Sequence, residues 1–218
     1  MSDIRANVKN TSVGRASSGV GSYAALRMTP DGALYTADAS LSAALEGRTF
    51  AAMQGSVTTP IATAATTAIA AQRPMAWVRV PDGTLIVPLW FAIEVESTGI
   101  TTQGEIAVAI AGNDVGNGTS TAGPTPIALN TASGLVTSNC TARRLATGDV
   151  TAETNLVEYI RFSFAASAVN QHYVWSAKET GLYLPLRGGA SWLVYIGGNA
   201  VNFYITQVWA EFSEADYS

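Results

Sequence analysis

The chain has one imidazole, His172 in Asn170-Gln171-His172-Tyr173-Val174, available as a general base or metal ligand. Zinc and copper sites are normally built from several histidines or cysteines, so one cannot make such a centre alone. His172 therefore reads as an ordinary strand-end or loop histidine. Paired carboxylates offer a second route, because glycoside hydrolysis needs two carboxyl groups flanking one bond. Glu94 and Glu96 stand two apart in an alternating segment, which puts both on one strand face, and that face reads as solvated. The loop Gly112-Asn113-Asp114-Val115-Gly116-Asn117-Gly118 has the small and amide residues of a calcium loop. It has one carboxylate, Asp114, and lacks the distal bidentate glutamate. Cys140 is the sole cysteine, which excludes an internal disulfide and a multi-cysteine zinc site within one chain. No Gly-x-Ser-x-Gly elbow, phosphate loop or dinucleotide fingerprint occurs in a strand-turn-helix setting. Trp175, Tyr183, Trp192, Tyr195, Tyr204 and Trp209 could form a sugar-stacking platform, but at strand spacing they read first as core. The expectation is a non-enzyme with no catalytic residues, cofactor or metal.

The elements that would position such groups are built from an unusual composition. Charged residues make up 13% of the chain, about half the usual share, and only Lys9 and Lys178 are lysines. Hydrophobic residues make up 48%, enough for a full core. A surface this poor in charge suits permanent cover by copies of the same chain or by a larger assembly. The net charge of −4 argues against bulk binding to nucleic acid, which needs a basic face to displace phosphate counterions. Arg143-Arg144 is the only adjacent basic pair and reads as a solvated turn or an intersubunit ion pair. No segment reads as a membrane span, Met1–Arg5 lacks the apolar core of a signal peptide, and a chain that can form no internal disulfide fits assembly in a reducing cytoplasm.

The chain is lopsided. Of 19 aromatic residues only Tyr23, Tyr35 and Phe50 precede Trp77. This predicts an extended N-terminal arm and wrapping segment over 1–73, followed by a compact domain over 74–218. Residues 1–22 have no aromatic and no leucine, so they cannot offset their own ordering entropy and read as an arm that orders on a neighbour. Residues 38–46 suit a short helix, with Asp38 as N-cap, Leu41 and Leu45 on one face and Gly47 as the stop. The Ala/Thr tract 58–71 reads as strand or extended wrapping.

From residue 76 the period becomes two. Leu85, Val87, Leu89, Phe91, Ile93 and Val95 fall on alternate positions, with Pro88 marking an edge or a bulge. Pro81-Asp82-Gly83 predicts a hairpin between 76–80 and 85–96. Further strands are expected at 105–111, 156–164, 181–186, 191–196 and 201–212. The polar stretch 112–152 adds one or two more, around Ile127 and within 135–145. Seven or eight strands with long connections predict an all-β, antiparallel β-sandwich of jelly-roll-like path.

A polar, basic arm leads through Gly32-Ala33-Leu34-Tyr35-Thr36-Ala37 and Leu45-Glu46-Gly47-Arg48-Thr49-Phe50 into the Thr/Ala tract and then an Ala/Gly/Thr-rich β-domain. In this order of segments the chain resembles the capsid decoration (cement) proteins and related virion surface proteins of tailed bacteriophages. The resemblance implies a trimeric jelly-roll-like protein on the capsid surface whose arms interlock neighbours and clamp the major capsid protein. It implies no active-site residues. Charge placement adds that Arg5, Lys9 and Arg15 of one copy would pair with Glu211, Glu214 and Asp216 of the next. The other readings are a shell-forming capsid subunit of a small virus and a carbohydrate-binding module of a phage fibre.

Overall fold

The computed structural model describes residues 43–44, 46–56, 58–62, 69–96, 103–118, 120–130, 137–144, 150, 156–166, 170–197 and 202–216. Its strands are β1 (Thr49–Gln54), β2 (Ile61–Ala62), β3 (Ala76–Arg79), β4 (Thr84–Val95), β5 (Gly104–Ala111), β6 (Thr121–Ala122), β7 (Ile127–Ala128), β8 (Thr141–Arg144), β9 (Val157–Phe164), β10 (Gln171–Ser176), β11 (Ser191–Gly197) and β12 (Asn202–Ser213). One helical turn, α1 (Ala177–Thr180), follows β10, and a 3-10 turn, Glu214–Asp216, follows β12.

Eight of these strands carry the architecture, and their pairing follows a simple rule. The first pairs with the last (β1 with β12) and the second with the seventh (β3 with β11). The third pairs with the sixth (β4 with β10) and the fourth with the fifth (β5 with β9), all antiparallel. A chain paired this way is one long folded hairpin. Rolling it up brings β12 beside β4 and β11 beside β5, which completes two sheets. The orders β10-β4-β12-β1-β7 and β6-β8-β3-β11-β5-β9 are those of a jelly-roll sandwich. The segment between β5 and β9 crosses to the far side, where β7 extends the first sheet beside β1, and β8 and β6 extend the second beside β3. The Gln54 side-chain amide donates to the Arg143 carbonyl at 3.3 Å and ties the two sheets along that side.

The core lies between the sheets and includes Phe50, Ile86, Phe91, Ile93, Val108, Trp192, Phe203, Ile205 and Trp209. A second cluster covers the outer face of the β3-β11-β5 sheet, where Trp77, Ala107, Ala109, Leu193 and Tyr195 pack under the chain's own connections. Tyr195 Oη donates to the Ala71 carbonyl at 2.9 Å, and Val150 N donates to the Gln72 carbonyl at 2.9 Å. Every residue of β11 is consequently buried.

Several local expectations change. β3 and β4 do not form a hairpin: β3 pairs with β8 and β11, β4 with β10 and β12, so Pro81-Asp82-Gly83 is a corner between sheets. Gly83, at φ 78°, makes that corner tight. The alternation in β4 is broken by a bulge, because Val208 faces Trp90 while Trp209 faces Pro88. Pro88 has no N–H to give the ladder, and the extra residue reverses the facing, so that Ile86 joins Phe91, Ile93 and Val95 in the core. Residues 181–186 are not a strand; only Leu186 bridges to Ile86. The boundary placed between 73 and 74 does not hold as an edge of the domain, since β1 is an integral strand paired with β12. Of the expected helix 38–46, Ala43 and Ala44 are helical and Gly47, at φ 72°, turns the chain out of it. Residues 1–42, 45 and 63–68 lie outside the described residues.

Candidate functional site

Strand alternation gives the β10-β4-β12-β1-β7 sheet an outer face, and the pairing registers align its residues in rows. One row runs Ile127, Ala51, Val208, Trp90 and Ser176. The next runs Met53, Thr206, Ala92 and Val174, and a third runs Tyr204, Glu94 and His172. Glu94 is the only formal charge in these rows. Ile127 is 65% exposed, Met53 48% and Val174 42%, and Leu129 beside Thr49 is exposed as well. Two of the three rows are mostly apolar, the third carries Tyr204, Glu94 and His172, and no described strand or helix packs over the face. The opposite sheet differs. Its middle is covered by the chain itself, and its β5/β9 margin carries a charged cluster in which Arg161 donates to Glu158 (Nε to Oε1, 2.7 Å) and to Glu105.

The acidic C-terminal residues are separated by the fold. Glu211 is buried, 6% exposed, and accepts from Ser138 Oγ at 2.6 Å, Asn139 N at 2.8 Å and Trp209 Nε1 at 3.4 Å. Its carboxylate is committed to holding the 138–140 segment, so it is not presented to a neighbour's arm. Glu214 is half-buried and lies 3.9 Å from Arg187. Asp216 closes the 3-10 turn, and Arg5, Lys9 and Arg15 lie outside the described residues.

The remaining chemical candidates are placed as follows. His172 is exposed on β10 opposite Glu94, whose carboxylate also accepts from Asn170 Nδ2 at 2.9 Å. Glu94 and Glu96 crowd the Tyr204 hydroxyl, which desolvation and their charges push above the ordinary tyrosine range. Among the described residues no group of three or more His, Cys, Asp or Glu is arranged to hold a metal. Cys140 is buried, and burial first, then the Glu211 charge, pushes its thiol far up, so it stays protonated. Trp77, Trp192 and Trp209 are fully buried and Trp175 nearly so, while Trp90 is half-buried. The sequence therefore offers no pair of exposed tryptophans for a sugar to stack on. A cleft of about 450 Å³ beside β2 is lined by Gly55, Ser56, Thr59 and Ile61, with Arg144 as its one charged group. Among the described residues no helix is long and apolar enough to cross a membrane.

The 112–118 loop is pinned by a feature that sequence spacing did not reveal. Arg79 on β3 grips both carboxylate oxygens of Asp114, Nε to Oδ1 at 2.6 Å, and also reaches Asn117 Oδ1. The Arg79 hydrogen bond holds the Asp114 carboxyl below the usual aspartate range, helped by Gly116 N and opposed by desolvation. A depressed folded value means this contribution is complete above the unfolded aspartate range and fades as pH falls through the folded value. Asp114→Asn is expected to cost about 1 kcal/mol near neutrality, as for a well-formed surface pair. The gap between wild type and variant should close on acidification when melting temperature is followed from pH 7 to pH 2. Because Arg79 already neutralises Asp114, adding calcium or a chelator should leave the melting temperature unchanged.

Compared with known proteins, the chain matches no protein-family model, no curated protein and no solved structure.

Proposed function

We propose that this protein is a non-enzymatic structural protein of a virion, one that decorates and stabilises a bacteriophage capsid through contacts with the major capsid protein and with copies of itself. The observation that supports this reading most is the pair of mostly apolar rows on the outer face of the β10-β4-β12-β1-β7 sheet, in a chain that is only 13% charged. Apolar rows left open on a well-packed chain are often where it binds a partner. A jelly-roll sandwich is a rigid platform for such a face, and the fold itself serves capsid and lectin domains alike, so the surface has to decide between them. Here the buried tryptophans favour contact with protein over contact with sugar. The mechanism is multivalent: modest apolar contacts, repeated over several linked subunits, give tight attachment to a repeating lattice.

Co-sedimentation with tailed-phage heads, intact and stripped of their outer proteins, tests the proposal. Saturable binding to stripped heads at a fixed ratio to the lattice, with heads that resist heat better when coated, is the expected result. Failure to bind any head, together with glycan-array binding, would replace capsid decoration with the carbohydrate-binding alternative.

A further inference from the structure

We propose that the cleft beside β2 is a carboxylate-binding site, with the Arg144 guanidinium of β8 as its anchor. The inference goes beyond capsid decoration and does not depend on it.

Strand alternation sets the direction of the anchor. Ala142 and Arg144 stand two apart on β8 and so share a face, and Ala142 belongs to the core between the sheets. Arg144 therefore projects toward the gap between the sheets, where that gap opens beside β2. Arg143 faces the other way, opposite Trp77 of the outer cluster. The adjacent basic pair is thus split by the strand, and of the two Arg144 lines the cleft.

The walls of the cleft are fixed. Gln54, fully buried at the end of β1, donates to the Arg143 carbonyl and holds β1 at a set distance from β8. The chain then turns back at once, Ser56 N donating to the Thr59 carbonyl at 2.9 Å and Thr59 N to the Ser56 carbonyl at 3.2 Å. Those bonds use both backbone N–H groups and leave the Ser56 and Thr59 hydroxyls as donors in the lining. Pro60, Ile61 and Ala62 add an apolar wall, beside which a charge pair is stronger than in open water.

Pairing sets this arginine apart. Arg48, Arg79, Arg161 and Arg187 each meet a carboxylate of the chain. Among the described residues Arg143 and Arg144 meet none, and the Nε of each is enclosed without an acceptor. The Arg144 cation is therefore partly desolvated and uncompensated, a costly state that an anion against its terminal nitrogens would relieve. A carboxylate suits it best. One guanidinium, with no second cation in the described lining, matches a single negative charge, whereas a phosphate brings about two. The planar fork also matches the two oxygens of a carboxylate. At about 450 Å³ the cleft has room for an acidic side chain with its flanking peptide as well as for a small free carboxylate.

The test follows the full chain by NMR at constant ionic strength, titrated separately with a glutamate blocked at both ends, with acetate and with inorganic phosphate. Arg144→Lys deletes the Arg144 Nε–H resonance and so assigns it. That resonance and the Ser56 and Thr59 amides should move saturably with both carboxylates, with dissociation constants of millimolar order. Arg161 Nε–H, already bonded to Glu158, should stay in place. Arg144→Gln should bind the blocked glutamate at least about tenfold more weakly, yet melt close to wild type without ligand because it loses no partner. Tighter binding of the blocked glutamate than of acetate would support the proposal and identify the source as an acidic side chain of a partner polypeptide. Equal binding would support it with a free small carboxylate as the source. No saturable shift, equal movement of Arg161, phosphate bound as tightly as either carboxylate, or binding that survives Arg144→Gln would overturn it. The wild-type titration decides the matter even if a variant fails to fold.

Discussion

Replacing Glu211 with alanine should destabilise the fold by about 3–4 kcal/mol, because three donors lose their shared charged acceptor at once and one of them, the Trp209 indole, is fully buried. Ser138 Oγ, Asn139 N and Trp209 Nε1 all converge on this one carboxylate, which is 6% exposed. Ser138 Oγ also accepts from Cys140 N at 3.0 Å, so the carboxylate organises the approach to β8 as well as the end of β12. In a domain of this size the loss corresponds to a fall of roughly 10 °C in melting temperature. Glu211→Gln keeps one acceptor oxygen and should recover about half of the loss. Denaturant titration of the three proteins checks both values, and an alanine variant within about 0.5 kcal/mol of wild type would show the network to be dispensable.

Trp192→Ala is expected to cost at least as much, about 3–5 kcal/mol. Trp192 is fully buried on β11 between Val78 of β3 and Ile110 of β5. Its Nε1 donates to Tyr159 Oη at 2.7 Å, and the Tyr159 ring meets Trp175 edge-on at 5.4 Å. One side chain of the second sheet is thereby joined to β10 of the first across the core. Burial pushes the Tyr159 hydroxyl well above the ordinary tyrosine range, so it stays protonated and accepts from the indole. Trp192→Phe keeps most of the volume but deletes the donor, and should cost about 1–2 kcal/mol beyond the lost ring area. Equal effects of the two substitutions would mean that packing contributes little and the hydrogen bond nearly everything.

The sandwich was legible in the sequence because local alternation persists in 105–111, 156–164 and 202–212, and the structure places β5, β9 and β12 there. Pairing was not legible in the same way. Pro81-Asp82-Gly83 is a good turn, and a good turn serves a hairpin or a corner equally well. What decides between them is β11 and β12, more than a hundred residues away, which capture β3 and β4 into different sheets. The bulge at Pro88 was half visible: proline signalled an irregular ladder, but the residue opposite it could be identified only in three dimensions. β1 was assigned to an arm because aromatic content marks a core, and β1 supplies only Phe50. Alanine and glutamine fill the rest of its inward face, a pattern that reads as polar and extended in isolation.

The candidate surface was legible as a property but not as a place. Scarce charge announced hidden surface, and the C-terminal carboxylates were the obvious groups from which to build an interface. The fold turns Glu211 inward instead, since residues one apart on a strand face opposite ways and β12 alternates Trp209 and Glu211 toward the core. Ile127 lies in a short apolar run, Pro126-Ile127-Ala128-Leu129, set in a long polar connection, so nothing in sequence linked it to Met53. Only the β1–β7 and β1–β12 registers bring the two onto one face.

The most direct measurement is the mass of the full chain in dilute solution, at about 1 μM, where a specific assembly of ordinary strength persists. Permanent assembly predicts a single species at a small whole multiple of 22.7 kDa, unchanged on tenfold dilution. A stable 22.7 kDa monomer at every concentration would contradict it.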